Sequence, residues 1–365
     1  MKKTTGFHAA ACGLILSIAA PCGAQGGPAS AEALARCRAI ADSAARLACF
    51  DAAVPVAMPA QAAPPAAVPA PPASARQSHA LEQPRAELLA SPATGGERSL
   101  IGDRWGLGAS PDDDRFDLRA HRPTYLLLGR YSDNVNHSPF TPTRVTPPVY
   151  LDLDQTEAKF QLSFKLKLFD LGRQFDMPLS VWAAYTQQSH WQVYNSDNSR
   201  PFRETNYEPE LFAAVHPDVN VLGWRWRLAA VGLNHQSNGR AEPLSRSWNR
   251  LVAQFGLERG NMAVIVRPWV RVRENNSRDD NPDITRYLGH GDVTFFWAPG
   301  QHSFSLTGRG NLGSGRGAAQ AHWTFPLARR VRGIVQVFSG YGESLIDYNM
   351  RQTTFGLGIS LADHL

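Results

Sequence analysis

The stretch "KFQLSFKLKLF", residues 159–169, decides the fold. Phe160, Leu162, Phe164, Leu166 and Leu168 share one parity, and Lys159, Gln161, Ser163, Lys165 and Lys167 share the other. Successive side chains of a strand point to opposite faces, so this segment is apolar on one side and charged on the other. "MAVIVRPWVRVR" (262–273) repeats the pattern, with Met262, Val264, Val266, Val270 and Val272 opposing Arg267, Trp269, Arg271 and Arg273. "TTFGLGISL" (353–361) does so again through Phe355, Leu357, Ile359 and Leu361. A soluble sandwich also alternates. These strands, however, reach the roughly ten residues that a tilted membrane-spanning strand needs, and Trp and Tyr recur near their ends, as in the aromatic girdles of barrels. Twelve such segments lie near 122–133, 157–170, 177–190, 204–216, 223–237, 247–259, 262–274, 284–297, 302–310, 316–326, 330–341 and 350–362. The expected fold is all-β: a twelve-stranded antiparallel transmembrane β-barrel whose polar faces line the lumen.

What precedes the strands is of a different kind. Lys2 and Lys3, an apolar run from Ala9 to Ala20 and the small residues up to Ala24 read as a secretory signal over residues 1–24. Cys22 invites a lipoprotein reading, but Pro21 argues against it. Beyond the signal no apolar run approaches the ~20 residues of a membrane helix, so an exported chain is either soluble or crosses a membrane as strands. "AEALARCRAIADSAARLACFDA" (31–52) reads as helical and carries Cys37 and Cys49. At about 1.5 Å rise per residue one straight helix holds them too far apart to bond, so a disulfide requires a helical hairpin. Residues 25–50 thus form a small helical Cys module. Residues 51–96, with "VPVAMPAQAAPPAAVPAPPASA", form an Ala/Pro-rich linker, and 97–365 the barrel. No cysteine follows Cys49, which excludes thiol chemistry in the barrel. The 37 Lys and Arg against 32 Asp and Glu give a net charge of +5. The arginines are scattered along strands, which fits a charged lumen and contacts with anionic lipid rather than nucleic acid.

"NHQSNGRAEPLSRSWNR" (234–250) carries the candidate chemistry. His235 and Ser237 have the parity of Val231 and Leu233, and Asn249 that of Leu251, Ala253, Phe255 and Leu257. All three point to the apolar face, away from the lumen. With a loop centred near Glu242, His235 stands roughly opposite Asn249, at the ~5 Å Cβ spacing of cross-strand pairs. The bland reading is a set of rim residues wetted by headgroups. Polar groups at membrane depth are costly, however, and usually functional. Ser237 is a nucleophile once His235 takes its proton, and the Asn249 carbonyl orients the ring through its other N–H. A neutral amide suits this site, since an ionised carboxylate facing hydrocarbon costs several kcal/mol. The amide also leaves the imidazolium less stabilised, so another positive charge is required at the oxyanion.

These residues resemble the signature of the bacterial outer-membrane phospholipase A family, a calcium-dependent phospholipase A1. "FRETNYEPE" (202–210), "NPDITRY" (281–287) and "SGYGESLIDYN" (339–349) are similar to that family too, and the likeness spans about residues 100–365. The resemblance implies a twelve-stranded barrel in the outer membrane of a Gram-negative bacterium, in contact with lipopolysaccharide. It implies calcium-dependent hydrolysis of acyl esters, sn-1 and sn-2, in phospholipids and lysophospholipids. Ser237, His235 and Asn249 then take the roles given above, and Gly239 offers its backbone N–H to the oxyanion. One calcium ion per site, at the interface of a homodimer, is held by the Arg240 carbonyl, the Ser245 hydroxyl and Ser199 of a second subunit. Gln187 packs the dimer. The chain departs from barrels that end on an aromatic residue by ending on Leu365, which bears on assembly rather than on the fold.

Other features carry less. "GRGNLG" (308–313) matches a dinucleotide fingerprint but is flanked by strands, and reads as a hairpin turn. No G-x-S-x-G nucleophile elbow is present. "PDDDR" (111–115) reads as a solvated loop, Glu204, Asn206 and Tyr207 as hydrogen-bonding lumen residues, and His290, His302 and His322 as structural. The rival readings are a passive channel with a polar rim, and an inactive scaffold whose working part is the Cys module.

Overall fold

The computed structural model describes residues 31–53, 99–106, 116–143, 149–174, 177–275, 279–328 and 331–362. The expected signal (1–24), all but the first three residues of the expected linker, the PDDDR loop and Leu365 lie outside the described residues. The chain divides into two units, Met1–His79 and Ala80–Leu365.

In the first unit, helices α1 (Ala31–Arg38) and α2 (Ser43–Ala53) are separated by a short turn. Asp42 starts α2 by accepting from the Ala45 N–H at 2.8 Å, the N-cap bond that satisfies an orphan donor. The turn folds what would have been one helix back on itself. Cys37 and Cys49 meet in a disulfide with their Cα atoms 5.5 Å apart.

The second unit opens with helix α3 (Leu100–Trp105), capped by the Ser99 side chain and closed by Gly106 at φ 63°. Among the described residues fourteen strands follow. The short β1 (Arg119–Ala120) precedes β2 (Thr124–Ser132), β3 (Thr156–Gln174), β4 (Met177–Trp191) and β5 (Phe202–Val215). The short β6 (Val219–Val221) precedes β7 (Trp224–Ser237), β8 (Ser247–Arg259) and β9 (Met262–Val272). After helix α4 (Thr285–Leu288) come β10 (Gly291–Trp297), β11 (Ser303–Asn311), β12 (Arg316–Ala328), β13 (Val331–Tyr341) and β14 (Arg351–Ala362). Setting aside β1 and β6, which pair onto β3 and β7, each strand pairs antiparallel with its sequence neighbour, and β14 pairs with β2. Twelve strands therefore close into a barrel with no free edge. Closure is what lets a sheet cross a bilayer, because every backbone N–H and C=O finds a partner in the ring.

Alternation sorts the side chains as the sequence predicts. Lys159 and Lys165 are buried in the lumen at 0% and 1% exposure, while Leu162, Leu233 and Val270 face outward at 45%, 61% and 67%. Three local departures have physical causes. A bulge between Lys167 and Phe169 slips the pleat by one residue and turns Phe169 outward. The segment expected as strand from 284 begins instead with α4, because Ile284 and Leu288 turn inward onto Trp248, Trp269, Leu345 and Tyr348. In GRGNLG, Gly308 to Asn311 finish β11 and only the following residues turn.

The lumen is lined by paired charges. Glu157 accepts from Arg130 at 2.7 Å and Arg203 at 2.9 Å, Lys159 donates to Glu343 at 2.9 Å, and Arg203 donates to Asp347 at 2.7 Å. The end with short turns is plugged by α3, whose Ile101 and Trp105 pack on Trp182, Phe212, Leu228 and Phe296. Glu258 locks this plug by accepting from Ser99 Oγ (2.6 Å) and the Ile101 N–H (2.9 Å). The end with longer loops is filled by residues 343–348, among them Ile346, Asp347 and Tyr348 at 0% exposure. Short turns mark the periplasmic side of such barrels and long loops the outside. Removing one partner of a buried pair leaves the other charge uncompensated. Asp347→Ala should therefore destabilise the barrel by about 3–5 kcal/mol, read as a lower unfolding midpoint of the detergent-solubilised protein in urea.

Candidate active site

The site grows out of the β7–β8 hairpin at the long-loop end. Register pairs His235 with Asn249 and Ser237 with Ser247. The next strand over, β5, brings Tyr207 opposite Ser237, and β4 brings Gln187 opposite Tyr207. Gln187, Tyr207 and Ser237 thus form one row on the outer wall. His235 is exposed, in line with Val231 and Leu233. The intervening Asn234 is buried at 3% and bonds inward to Glu208 (2.7 Å) and Arg250 (3.0 Å).

His235 Nδ1 and Asn249 Oδ1 are 2.8 Å apart, so the ring N–H donates to the amide carbonyl. The Asn249 amide N–H donates in turn to Glu274 Oε1 at 2.9 Å. Ser237 sits two residues from His235 on the same face; among the described residues its hydroxyl has no hydrogen bond to the ring. Catalytic contacts of this kind often tighten only with substrate present.

The loop beyond Ser237 is held as a closed turn by Asn238. Its side-chain Oδ1 accepts from the backbone N–H of Arg246 (2.9 Å) and of Arg240 (3.3 Å), and its Nδ2 donates to the Leu244 backbone carbonyl (2.8 Å) and to Glu204 (3.3 Å). Gly239 lies at φ 62°, and a Cβ built there would stand 3.1 Å from the Tyr207 ring, so glycine suits both the backbone and the space. Arg240 reaches back to the Arg203 carbonyl at 2.7 Å. The Ser245 hydroxyl donates to Asp280 Oδ2 at 2.6 Å. Burial pulls the Arg246 guanidinium below its ordinary pKa against the pull of Tyr348, and burial with the Asp283 hydrogen bond pushes the Tyr348 phenol up, so it stays a neutral donor.

His235, Ser237, Asn249, Gly239, Arg240 and Ser245 therefore gather on one hairpin and its loop. Ser199, exposed at φ 57°, lies in the β4–β5 loop, and Gln187, bonded to Tyr185 and Ser189, lies on β4. The expectation that Tyr207 lines the lumen is corrected: it shares parity with Leu211, is 36% exposed and flanks Ser237. Glu204 and Asn206 do face inward, bonded to each other at 2.7 Å. Glu274 and Asp280 were not anticipated. They lie 25 and 35 residues from the side chains they touch; Glu274 ends the expected strand 262–274 with the parity of Val272, whereas Asp280 lies in an aperiodic loop. Among the described residues no group of three or more His, Cys, Asp and Glu gathers around a metal position.

A closed barrel with an apolar belt, charged interior and no membrane-length helix among its described residues defines an outer-membrane β-barrel protein. The family model described as phospholipase A1 matches residues 101–361. A putative phospholipase A1 of Neisseria meningitidis serogroup B is 35% identical, over 91% of this chain and 91% of that protein. The calcium-bound dimer of the Salmonella typhi outer membrane phospholipase is 38% identical with a TM-score of 0.63, covering 70% of this chain and 96% of that one. An active-site mutant of outer membrane phospholipase A from Escherichia coli, with asparagine replaced by alanine, is 38% identical with a TM-score of 0.64, over 73% and 100% of the two chains. The chain belongs to the phospholipase A1 family of outer-membrane phospholipases. Asn238→Ala should free the loop that carries Gly239 and Arg240 while leaving the twelve-strand ladder intact. Phospholipid hydrolysis should fall at least about tenfold with the heat-resistant barrel band unchanged on a gel.

Proposed function

We propose that Ser237, His235 and Asn249 hydrolyse the acyl esters of phospholipids and lysophospholipids, at sn-1 and sn-2, in the outer leaflet. The observation that carries this reading is the 2.8 Å His235–Asn249 bond on the lipid-facing side of β7 and β8, beside Ser237. With Nδ1 donating to Asn249, Nε2 is the free base. Ser237 Oγ attacks the ester carbonyl carbon as its proton passes to Nε2. The oxyanion takes the Gly239 backbone N–H. Collapse breaks the C–O bond, the leaving alkoxide takes the proton from His235, and the acyl group stays on Ser237. A water then gives a proton to His235 as it attacks the acyl carbon; collapse breaks the bond between Ser237 Oγ and that carbon, Oγ takes the proton back from His235, and the fatty acid leaves.

The calcium seen in the Salmonella typhi relative fits the residues present here. Arg240 would supply its carbonyl and Ser245 its hydroxyl, with the partner subunit's Ser199 completing the set in a homodimer packed through Gln187. These are hard oxygen donors, and the Asp280 carboxylate on the Ser245 hydroxyl makes the spot attractive to a cation. When bound, calcium supplies positive charge beside the oxyanion. We assign residues 1–24 to a signal peptide, 25–50 to the Cys module, 51–96 to a linker and 97–365 to the catalytic barrel in the lipopolysaccharide-containing membrane. The passive-channel reading is disfavoured by a lumen blocked at one end by α3 and at the other by residues 343–348.

Ser237→Ala should abolish hydrolysis of a fluorogenic phospholipid, by roughly a thousandfold or more, while the heat-resistant band persists. Unchanged hydrolysis would refute the triad. Chelating calcium should silence the wild-type protein, and adding the ion back should restore it. Deleting residues 25–95 should leave hydrolysis intact; loss of activity in a folded barrel would return the working role to the Cys module.

A further inference from the structure

We propose that Glu274 is a fourth member of the catalytic array, a positioning residue that sets the orientation of Asn249 and lends the site its negative charge. The inference rests on the Ser237–His235–Asn249 reading above. A side-chain amide has two chemically opposite ends, and which of them meets the histidine decides the tautomer of the ring. Left to itself, Asn249 could turn its NH2 toward His235, which would force Nδ1 to accept and leave Nε2 protonated and useless as a base. Glu274 removes that choice. Its carboxylate only accepts, so at 2.9 Å it selects the amide nitrogen of Asn249. The carbonyl oxygen is then left for His235 Nδ1 at 2.8 Å, Nδ1 keeps the proton, and the Nε2 lone pair is free for Ser237.

The placement also answers an electrostatic difficulty. A neutral amide avoids setting an ionised group against hydrocarbon, but by itself stabilises an imidazolium less than a carboxylate does. Glu274 stands two residues past the last residue of β9, Val272, in the loop region and half-buried. At that height a carboxylate meets the headgroup zone instead of the bilayer core. The amide then relays its influence: a hydrogen bond from Asn249 to a charged acceptor polarises the amide, and its carbonyl becomes a stronger acceptor for the ring. Arg271, on the lumen-facing parity of β9, is engaged by Asp279 at 2.7 Å and directs its charge elsewhere.

The test is a charge-and-amide exchange in the full-length, calcium-loaded protein. Phospholipid hydrolysis and the rate at which a long-chain alkyl sulfonyl fluoride labels Ser237 are both measured. Glu274→Ala should lower kcat and the labelling rate about tenfold at unchanged KM, and Glu274→Gln, which keeps an acceptor oxygen, should lose less. Asn249→Asp sets two carboxylates against each other and should lose more than either. The double variant Asn249→Asp/Glu274→Gln restores an amide donor facing a carboxylate acceptor with the ends exchanged, and should recover several-fold over Asn249→Asp alone. A merely structural Glu274 gives no such recovery. The heat-resistant band checks folding in each case. The inference is overturned if Glu274→Ala stays within twofold of wild type, or if the double variant is no better than Asn249→Asp. A Ser237→Ala control that still hydrolyses lipid overturns the triad reading itself, and this inference with it.

Discussion

Everything in this barrel follows from the absence of water in the bilayer core. Backbone groups there have no partner but each other, so the sheet must close, and here β14 returns to β2 to close it. Closure makes the two faces of every strand unequal. Leucines, valines and aromatics go to lipid, and Lys, Arg, Glu and Gln go inside. Because charges inside the wall cannot be hydrated freely, they are paired: Glu157 alone takes Arg130, Arg203 and His190. The interior is thereby cross-linked by ion pairs, and the proposed chemistry lies on the outer wall, where lipid is.

The interior nevertheless reaches the site. Glu204, buried at 1%, accepts from Asn206, from the Ile346 N–H of the inward-folded loop and from Asn238 at the base of the active-site turn. Arg203 binds Asp347 of that same loop through its side chain and Arg240 through its carbonyl. The segment 343–348 is therefore more than a stopper. It fills the outer end of the lumen and braces the turn that offers Gly239 and Arg240, so the polar core and the lipid-facing site are one mechanical unit.

Depth explains the choice of side chains. At the outer wall, the proposed triad of serine, imidazole and amide avoids setting an ionised carboxylate against hydrocarbon. Charge enters only at the rim, as Glu274 behind Asn249 and Asp280 behind Ser245. In the proposed array, Glu274 stands at the rim in the place a buried carboxylate takes in a soluble hydrolase.

Period-two alternation in segments such as 159–169 and 262–273 was enough to read the barrel, its strand count and the outward direction of His235, Ser237 and Asn249, because side-chain direction on a strand depends only on parity. It misdirected Phe169, where a bulge breaks parity, and Ile284, where burial against Trp248 favours a helical turn over a strand. Tyr207 was legible in principle, since it shares the parity of Leu211. The disulfide needed the turn before Asp42, which composition alone does not announce. Glu274 ends the expected strand 262–274 on the outward parity, but its bond to Asn249, like the whole placement of Asp280, could come only from the tertiary structure. A loop has no periodicity to project, so which of its carboxylates meets Asn249 or Ser245 is decided by how strands far apart in sequence stand side by side.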